Sequence, residues 1–164
     1  MIARGELEHK LWISMGYYMG MRSSEITQLP VKLIDLKNGM IKLPAWLTKT
    51  NKYREVPVHK LVMPLLTEQL KLNTEYLFPN LADTTKPMDR GGFKKKWMSI
   101  KQSLNINCRF HDLRHTHATI AFKAKGSNPL VICSYLGMDI KVAQDIYLHV
   151  NHLDRAKQLE SAKL

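Results

Sequence analysis

Cysteine is nearly absent from this 164-residue chain. Only Cys108 and Cys133 occur, and neither has a close neighbour of its own kind. Two cysteines are too few for a disulfide framework, and without a C-x-x-C pair cysteine-based metal binding is not expected. Long apolar runs are missing as well: no stretch approaches the roughly 18 residues of a membrane span, and the opening MIARGELEHK lacks the apolar core of a signal peptide. Acidic residues are scarce, with 14 Asp and Glu against 25 Lys and Arg, which leaves a formal charge of +11. That imbalance favours a polyanionic partner. No basic amphipathic helix with bulky aromatics is visible, so nucleic acid is preferred to an anionic membrane. There is no internal repeat and no low-complexity tract, and 45% hydrophobic residues suffice for one compact domain with a real core. The expectation is a cytoplasmic protein with reduced cysteines.

What is present falls into segments of different period. In ELEHKLWISMGYYMG, Leu7, Leu11, Met15, Tyr18 and Met19 recur at helical spacing, and Gly20 breaks the pattern just before Arg22. Ser23 or Ser24 can cap a short helix running to Leu29, and Pro30 stops it. Alternating apolar residues on both sides of Asn38-Gly39 then predict a small three-stranded antiparallel sheet, in which Pro44 and Pro57 confine strands to edges or irregular places. This sheet reads as a flap more than as core. LVMPLLTEQLKL predicts a helix, residues 73–92 an irregular connector, and the remainder a series of helices. The fold class is α+β, mainly helical.

The densest chemistry lies in FHDLRHTHAT. His111, Arg114 and His115 stand at i, i+3 and i+4, hence on one helical face near a helix N-terminus, where free N–H groups and a guanidinium favour an anion. Two histidines four apart could also share zinc. That reading needs a third ligand, and Asp112 stands where the H-E-x-x-H motif has its glutamate. An ordinary polar helix face is the plain alternative.

Three further stretches accompany it: GMRSSEI with Arg22, TKTNKYREVPV with Lys49, and LGMDIKVAQDIYLHV with Tyr147. In order and spacing the four resemble the catalytic domain of the tyrosine recombinases, the family of phage integrases and chromosome-dimer resolvases. The matching pattern is an Arg in G-[LM]-R-x-x-E, a hairpin Lys, an H-x-L-R-H helix, an L-G-[HW] turn and a Tyr nine residues beyond it. Taken singly, Arg22 could cap a helix, Lys49 could be a solvated turn residue and Tyr147 a half-buried aromatic. Their joint occurrence across nearly the whole chain argues otherwise.

The resemblance implies site-specific recombination of double-stranded DNA through a covalent 3′-phosphotyrosine, without metal or cofactor. Arg22 and Arg114 would clamp one phosphate, Tyr147 would attack it, Lys49 would protonate the leaving 5′ oxygen, and His111 would accept the tyrosine proton or orient the phosphate. Glu25 and Asp112 would hold the arginine and the helix end. His115 would line the site, and His117 would pack. Lys52 and Arg54 on the hairpin and Lys94, Lys95 and Lys96 on a helix are placed to meet DNA backbone, with a solvated face as the alternative.

Two departures stand out. Met138 occupies the position where the family usually has His or Trp, and methionine has no N–H to donate. Only 21 residues precede Arg22, where family members usually carry a separate helical domain. The chain is therefore read as a single catalytic domain over 1–164, without that core-binding domain. Its stretch 151–164 is a candidate tail helix for exchange between protomers of a tetramer on paired sites. The competing readings are a type IB-like topoisomerase, a weakly active or non-catalytic DNA-binding domain of the same fold, and a metal-dependent nuclease.

Overall fold

The computed structural model describes residues 4–144. Leu7, Leu11, Met15 and Met19 form one stripe of α1 (Arg4–Met19), which also buries Trp12 completely. Gly20, at φ +62°, ends it. The next helix, α2 (Ser23–Thr27), is shorter than anticipated and is not capped by either serine. Its N-cap is Arg22, because Glu25, three residues in, reaches back to accept from the Arg22 backbone N–H at 2.8 Å.

Three strands follow in the order β1-β2-β3, all antiparallel: β1 (Ile34–Asp35), β2 (Met40–Leu43) and β3 (Arg54–Pro57). Gly39 turns the first hairpin at φ +63°. Pro44 ends β2 and opens a 3-10 turn over Ala45–Leu47, while Pro57 closes β3. The sheet is not a flap. Ile41, Leu43 and Val56 have no exposed surface, and they wall the main core against α1 and Leu66 of α3 (Met63–Leu70).

The connector 71–89 has no regular structure. Its path is fixed by the Pro30–Tyr76 and Pro79–Pro87 bridges and by Gln69 Nε2 donating to the Leu77 carbonyl at 2.9 Å. Then come α4 (Arg90–Leu104), α5 (Phe110–Lys123) and α6 (Pro129–Leu136), and another helix begins at 140.

Two apolar clusters result. In the larger one Trp12 stacks on Phe93 with ring centroids 4.9 Å apart and meets Phe78 and Phe110 edge-on. Truncating such an aromatic to alanine typically costs about 3–5 kcal/mol. The smaller joins Ala118, Phe122, Ile132, Leu136 and Ala143. Helix α5 serves both, since Phe110 points into the first and Ala118 and Phe122 into the second. Its N-terminal turns therefore lie at the seam. Among the described residues no helix is long and apolar enough to cross a membrane.

Candidate active site

At that seam a cleft of about 470 Å³ is lined by Arg22, Lys49, His111, Arg114, His115 and Met138. Residues from four separate stretches of sequence thus meet in one place. Tyr147 and the stretch 151–164 lie outside the described residues.

The back of the cleft is a set of arginines bonded to main-chain carbonyls. Arg114 is buried, and its two terminal nitrogens donate to the carbonyls of Gly20 and Leu136, each at 2.6 Å. Arg22 donates to the Gly137 carbonyl at 2.8 Å and, more weakly, to that of Leu136 at 3.5 Å. The Leu136 and Gly137 carbonyls are the last of α6, lack helical partners and carry the negative end of its dipole, while the Gly20 carbonyl lies just past the end of α1. So Arg22 does cap a helix C-terminus, and that helix is α6, 114 residues away in the chain. Gly137 makes this close approach feasible. It sits at φ +59°, and a Cβ there would lie 2.9 Å from Arg54 Cδ.

One carboxylate compensates this charge. Glu25 is fully buried and bonds Arg22 Nη1 at 2.9 Å and Arg54 Nη2 at 2.6 Å. Burial alone would raise its pKa, but Arg54 and Arg22 outweigh that and hold it below the usual glutamate value. The Arg114 guanidinium, desolvated and facing Arg22, is pushed down to about 9. It still keeps its proton at neutral pH. Three guanidiniums against one carboxylate leave this wall strongly attractive to an anion.

The rim is different. Lys49 is exposed on the loop between β2 and β3, just before the left-handed Asn51, and the loop is closed by Thr48 Oγ1 accepting from Lys52 N at 3.1 Å and donating to its carbonyl at 2.9 Å. The Lys49 ammonium makes no hydrogen bond or ion pair among the described residues. His111 and His115 meet edge to face with centroids 4.6 Å apart. Partial desolvation, then His115, Arg114 and Arg22, hold His111 below the ordinary histidine pKa, which favours the neutral ring, the form that can accept a proton. Asp112 accepts from the Arg109 backbone N–H at 2.8 Å and thereby caps α5. His117 faces away from the cleft. Its Nδ1 lies 2.9 Å from the Tyr17 carbonyl and its Nε2 2.9 Å from the Tyr135 hydroxyl, and because a carbonyl only accepts, Nδ1 carries the hydrogen.

Met138 lines the cleft while packing on the second apolar cluster. Among the positions assigned to DNA, Lys52, Lys94 and Lys95 are exposed. Arg54 is not: only 5% of its surface is accessible, because it projects inward from β3 onto Glu25. Lys96 turns from solvent toward α1 and pairs with Glu8. Among the described residues no three of His, Cys, Asp and Glu converge as a metal would require.

Comparison with known proteins gives a consistent picture. The model of the phage integrase family matches residues 2–153. The tyrosine recombinase XerC of Lactobacillus leichmannii is 32% identical over 149 residues, covering 85% of this chain and 49% of the relative. The XerD recombinase of Staphylococcus epidermidis is 31% identical over 147 residues, covering 82% of this chain and 48% of the relative. The chain thus spans about half the length of the curated relatives it matches. Among solved structures, the XerH site-specific recombinase in a pre-cleavage complex with its difH substrate superposes with a TM-score of 0.71 at 25% identity, over all of this chain and 48% of that one. The Tn1549 transposon integrase bound to circular intermediate DNA gives 0.70 at 17% identity, over 95% and 61%, a likeness of fold.

Proposed function

The chain belongs to the phage integrase family of tyrosine recombinases, and from that premise we propose that it cleaves and rejoins double-stranded DNA at specific sites through a covalent 3′-phosphotyrosine. The observation that carries this reading is the gathering of Arg22, Arg114, Lys49 and His111 around one cleft whose fixed wall is cationic. Arg22 and Arg114 bind the non-bridging oxygens of the scissile phosphate. Their charge counts most in the pentavalent transition state, where those oxygens become more negative, and one such donor is commonly worth about 10² to 10³ in rate.

The Tyr147 hydroxyl attacks phosphorus, its proton passing to neutral His111. The bond from phosphorus to the 5′ oxygen breaks as Lys49 delivers a proton to that oxygen. Each proton transfer contributes roughly 10² to 10⁴. Phenolic oxygen, with a pKa near 10, needs the neighbouring cations to become an effective nucleophile. The phosphotyrosine conserves the energy of the broken phosphodiester, so rejoining to a second 5′-hydroxyl needs no ATP. Exposed Lys52, Lys94 and Lys95 meet the DNA backbone. The active form is a tetramer on paired sites in the cytoplasm, with 151–164 docked on a neighbouring protomer.

A second reading, a DNA-binding domain of the same fold with little catalysis, is favoured by Met138, which puts a thioether where the cleft could hold a donor. One experiment separates the two. The protein first selects its site from a random-sequence duplex library, and that site is then prepared with a nick that traps cleavage. A covalent adduct formed in excess EDTA and lost in Tyr147→Phe is the expected result. Tight binding without adduct supports the second reading. Activity restored only by added metal supports a nuclease.

A further inference from the structure

Of the four inward positions of β2 and β3, three carry Ile41, Leu43 and Val56, and the fourth carries Arg54, paired in register with Leu43. A methionine or leucine would fill that volume without the cost of desolvating a guanidinium. The charge therefore has another use, and its bonds show which. Nη1 donates to the Tyr135 carbonyl in the last turn of α6. Nη2 donates to Glu25 Oε2 at 2.6 Å, the same oxygen that receives the Arg22 backbone N–H. Nε is sealed from solvent without a partner among the described residues, where these two bonds hold the side chain.

We propose that Arg54 is a positioning residue of the phosphate site: it occupies Glu25 and anchors the end of α6, and so fixes the Arg22 guanidinium while leaving the charge of Arg22 and Arg114 available to the scissile phosphate. The inference rests on the strand-transfer reading above. Without Arg54, the buried Glu25 carboxylate would face Arg22 as its one remaining ion-pair partner among the described residues and would offset the cation meant for the substrate. The Tyr135 carbonyl would lose its donor beside the Leu136 and Gly137 carbonyls, which hold Arg114 and Arg22. Gly137 supplies an independent indication. A Cβ there would come within 2.9 Å of Arg54 Cδ and 3.0 Å of Nε, so the turn leaves room for this side chain. The titration of Glu25 fits as well, since Arg54 is the strongest of the groups that hold it ionised against its burial.

The test compares wild type, Arg54→Lys and Arg54→Met as the full 164-residue chain, on the nicked duplex carrying the self-selected site. Single-turnover adduct formation at saturating protein, DNA affinity by fluorescence anisotropy, and the Glu25 carboxyl titration by carbon-13 NMR are read together. Arg54→Met should slow adduct formation by about 100-fold, the scale of one misplaced phosphate donor, with affinity within about threefold of wild type and the Glu25 titration moved to higher pH. Arg54→Lys keeps a charge but not the two-armed geometry, so it should fall between, about tenfold slow, with a smaller shift. If Arg54→Met does not fold, the lysine variant alone carries the test. Wild-type rates in either folded variant overturn the proposal. So does an equal slowing of both with the Glu25 titration unmoved, which marks a packing residue. Wild type that binds the site and forms no adduct overturns the strand-transfer reading and this role with it; failure of Arg54 alone leaves the wild-type adduct intact.

Discussion

The back wall and the rim of the cleft are built on opposite plans. Arg22, Arg114 and Arg54 are withdrawn from solvent, each tied to a carbonyl at the end of α6. Lys49, His111 and His115 are exposed, and Lys49 is held by nothing around it among the described residues. The difference follows from what each set has to do. A group that stabilises developing charge works best when already oriented, because no reorganisation is then needed at the moment of reaction. A group that moves a proton has to approach one atom and withdraw, so a loose tether suits it. The contrast makes a separable claim: damage to the wall should harm both fold and rate, and damage to the rim should harm rate alone.

The largest effect is expected at Arg114. Arg114→Ala removes the proposed phosphate ligand and leaves the Gly20 and Leu136 carbonyls without this donor. Adduct formation should fall by at least about 10³, and denaturant melts should show a loss of about 1–3 kcal/mol for the buried acceptors left unpaired. A variant with wild-type stability would break the comparison.

Lys49→Ala is the converse case. Adduct formation should fall by about 10² to 10³ with an unchanged melt. A substrate whose leaving group is a 5′-thiol, with a pKa near 8.5 like that of cysteine, needs no proton and should recover most of the rate. Failure of that rescue removes Lys49 as the proton donor.

Met138→His tests the border between the two regions, because the residue both lines the cleft and packs on the second cluster. An added N–H aimed at the phosphate should speed cleavage by about tenfold, less than a native oxyanion donor is worth, at unchanged DNA affinity. A slower, less stable variant would make position 138 part of the wall.

The smallest effect concerns pH. Burial holds His117 below the ordinary histidine value, and His111 is depressed too. The unfolded chain then binds more protons than the folded one as pH falls through the ordinary histidine range. Stability should therefore decline from pH 7 toward pH 5. His117→Gln should flatten that slope in melts recorded across this range; an identical slope would place the responsible groups elsewhere.

Much of this was legible in the sequence, and the exceptions have physical causes. Four-residue recurrence in α1 and the Asn38-Gly39 turn are local signals, and local signals survive reading in one dimension. The positions of Arg22, Lys49, His111 and Arg114 were readable because spacing along four motifs stood in for proximity. Arg54 was misjudged as a surface cation by its charge. Its two-residue offset from Val56 places both on the same face of the strand, and the inward face of Val56 was the signal available. Lys96 was misjudged because its partner, Glu8, lies on another helix, and such pairing has no signature in sequence. The depth of the sheet was missed because short strands broken by proline read as marginal, although burial on one face is what stabilises them.

The anchors of the arginine wall are backbone carbonyls at 20, 135, 136 and 137. A carbonyl is supplied by every amino acid, so no point substitution deletes one. The side chains at 135 and 136 are thus released from the task of holding these cations, and the frame of the cleft can be inherited through extensive drift in sequence. The burden of heredity falls instead on the donors and on the backbone conformation at Gly20 and Gly137, both with φ near +60°. Chains that agree at only about a third of their positions can on this account keep the same charge in the same place.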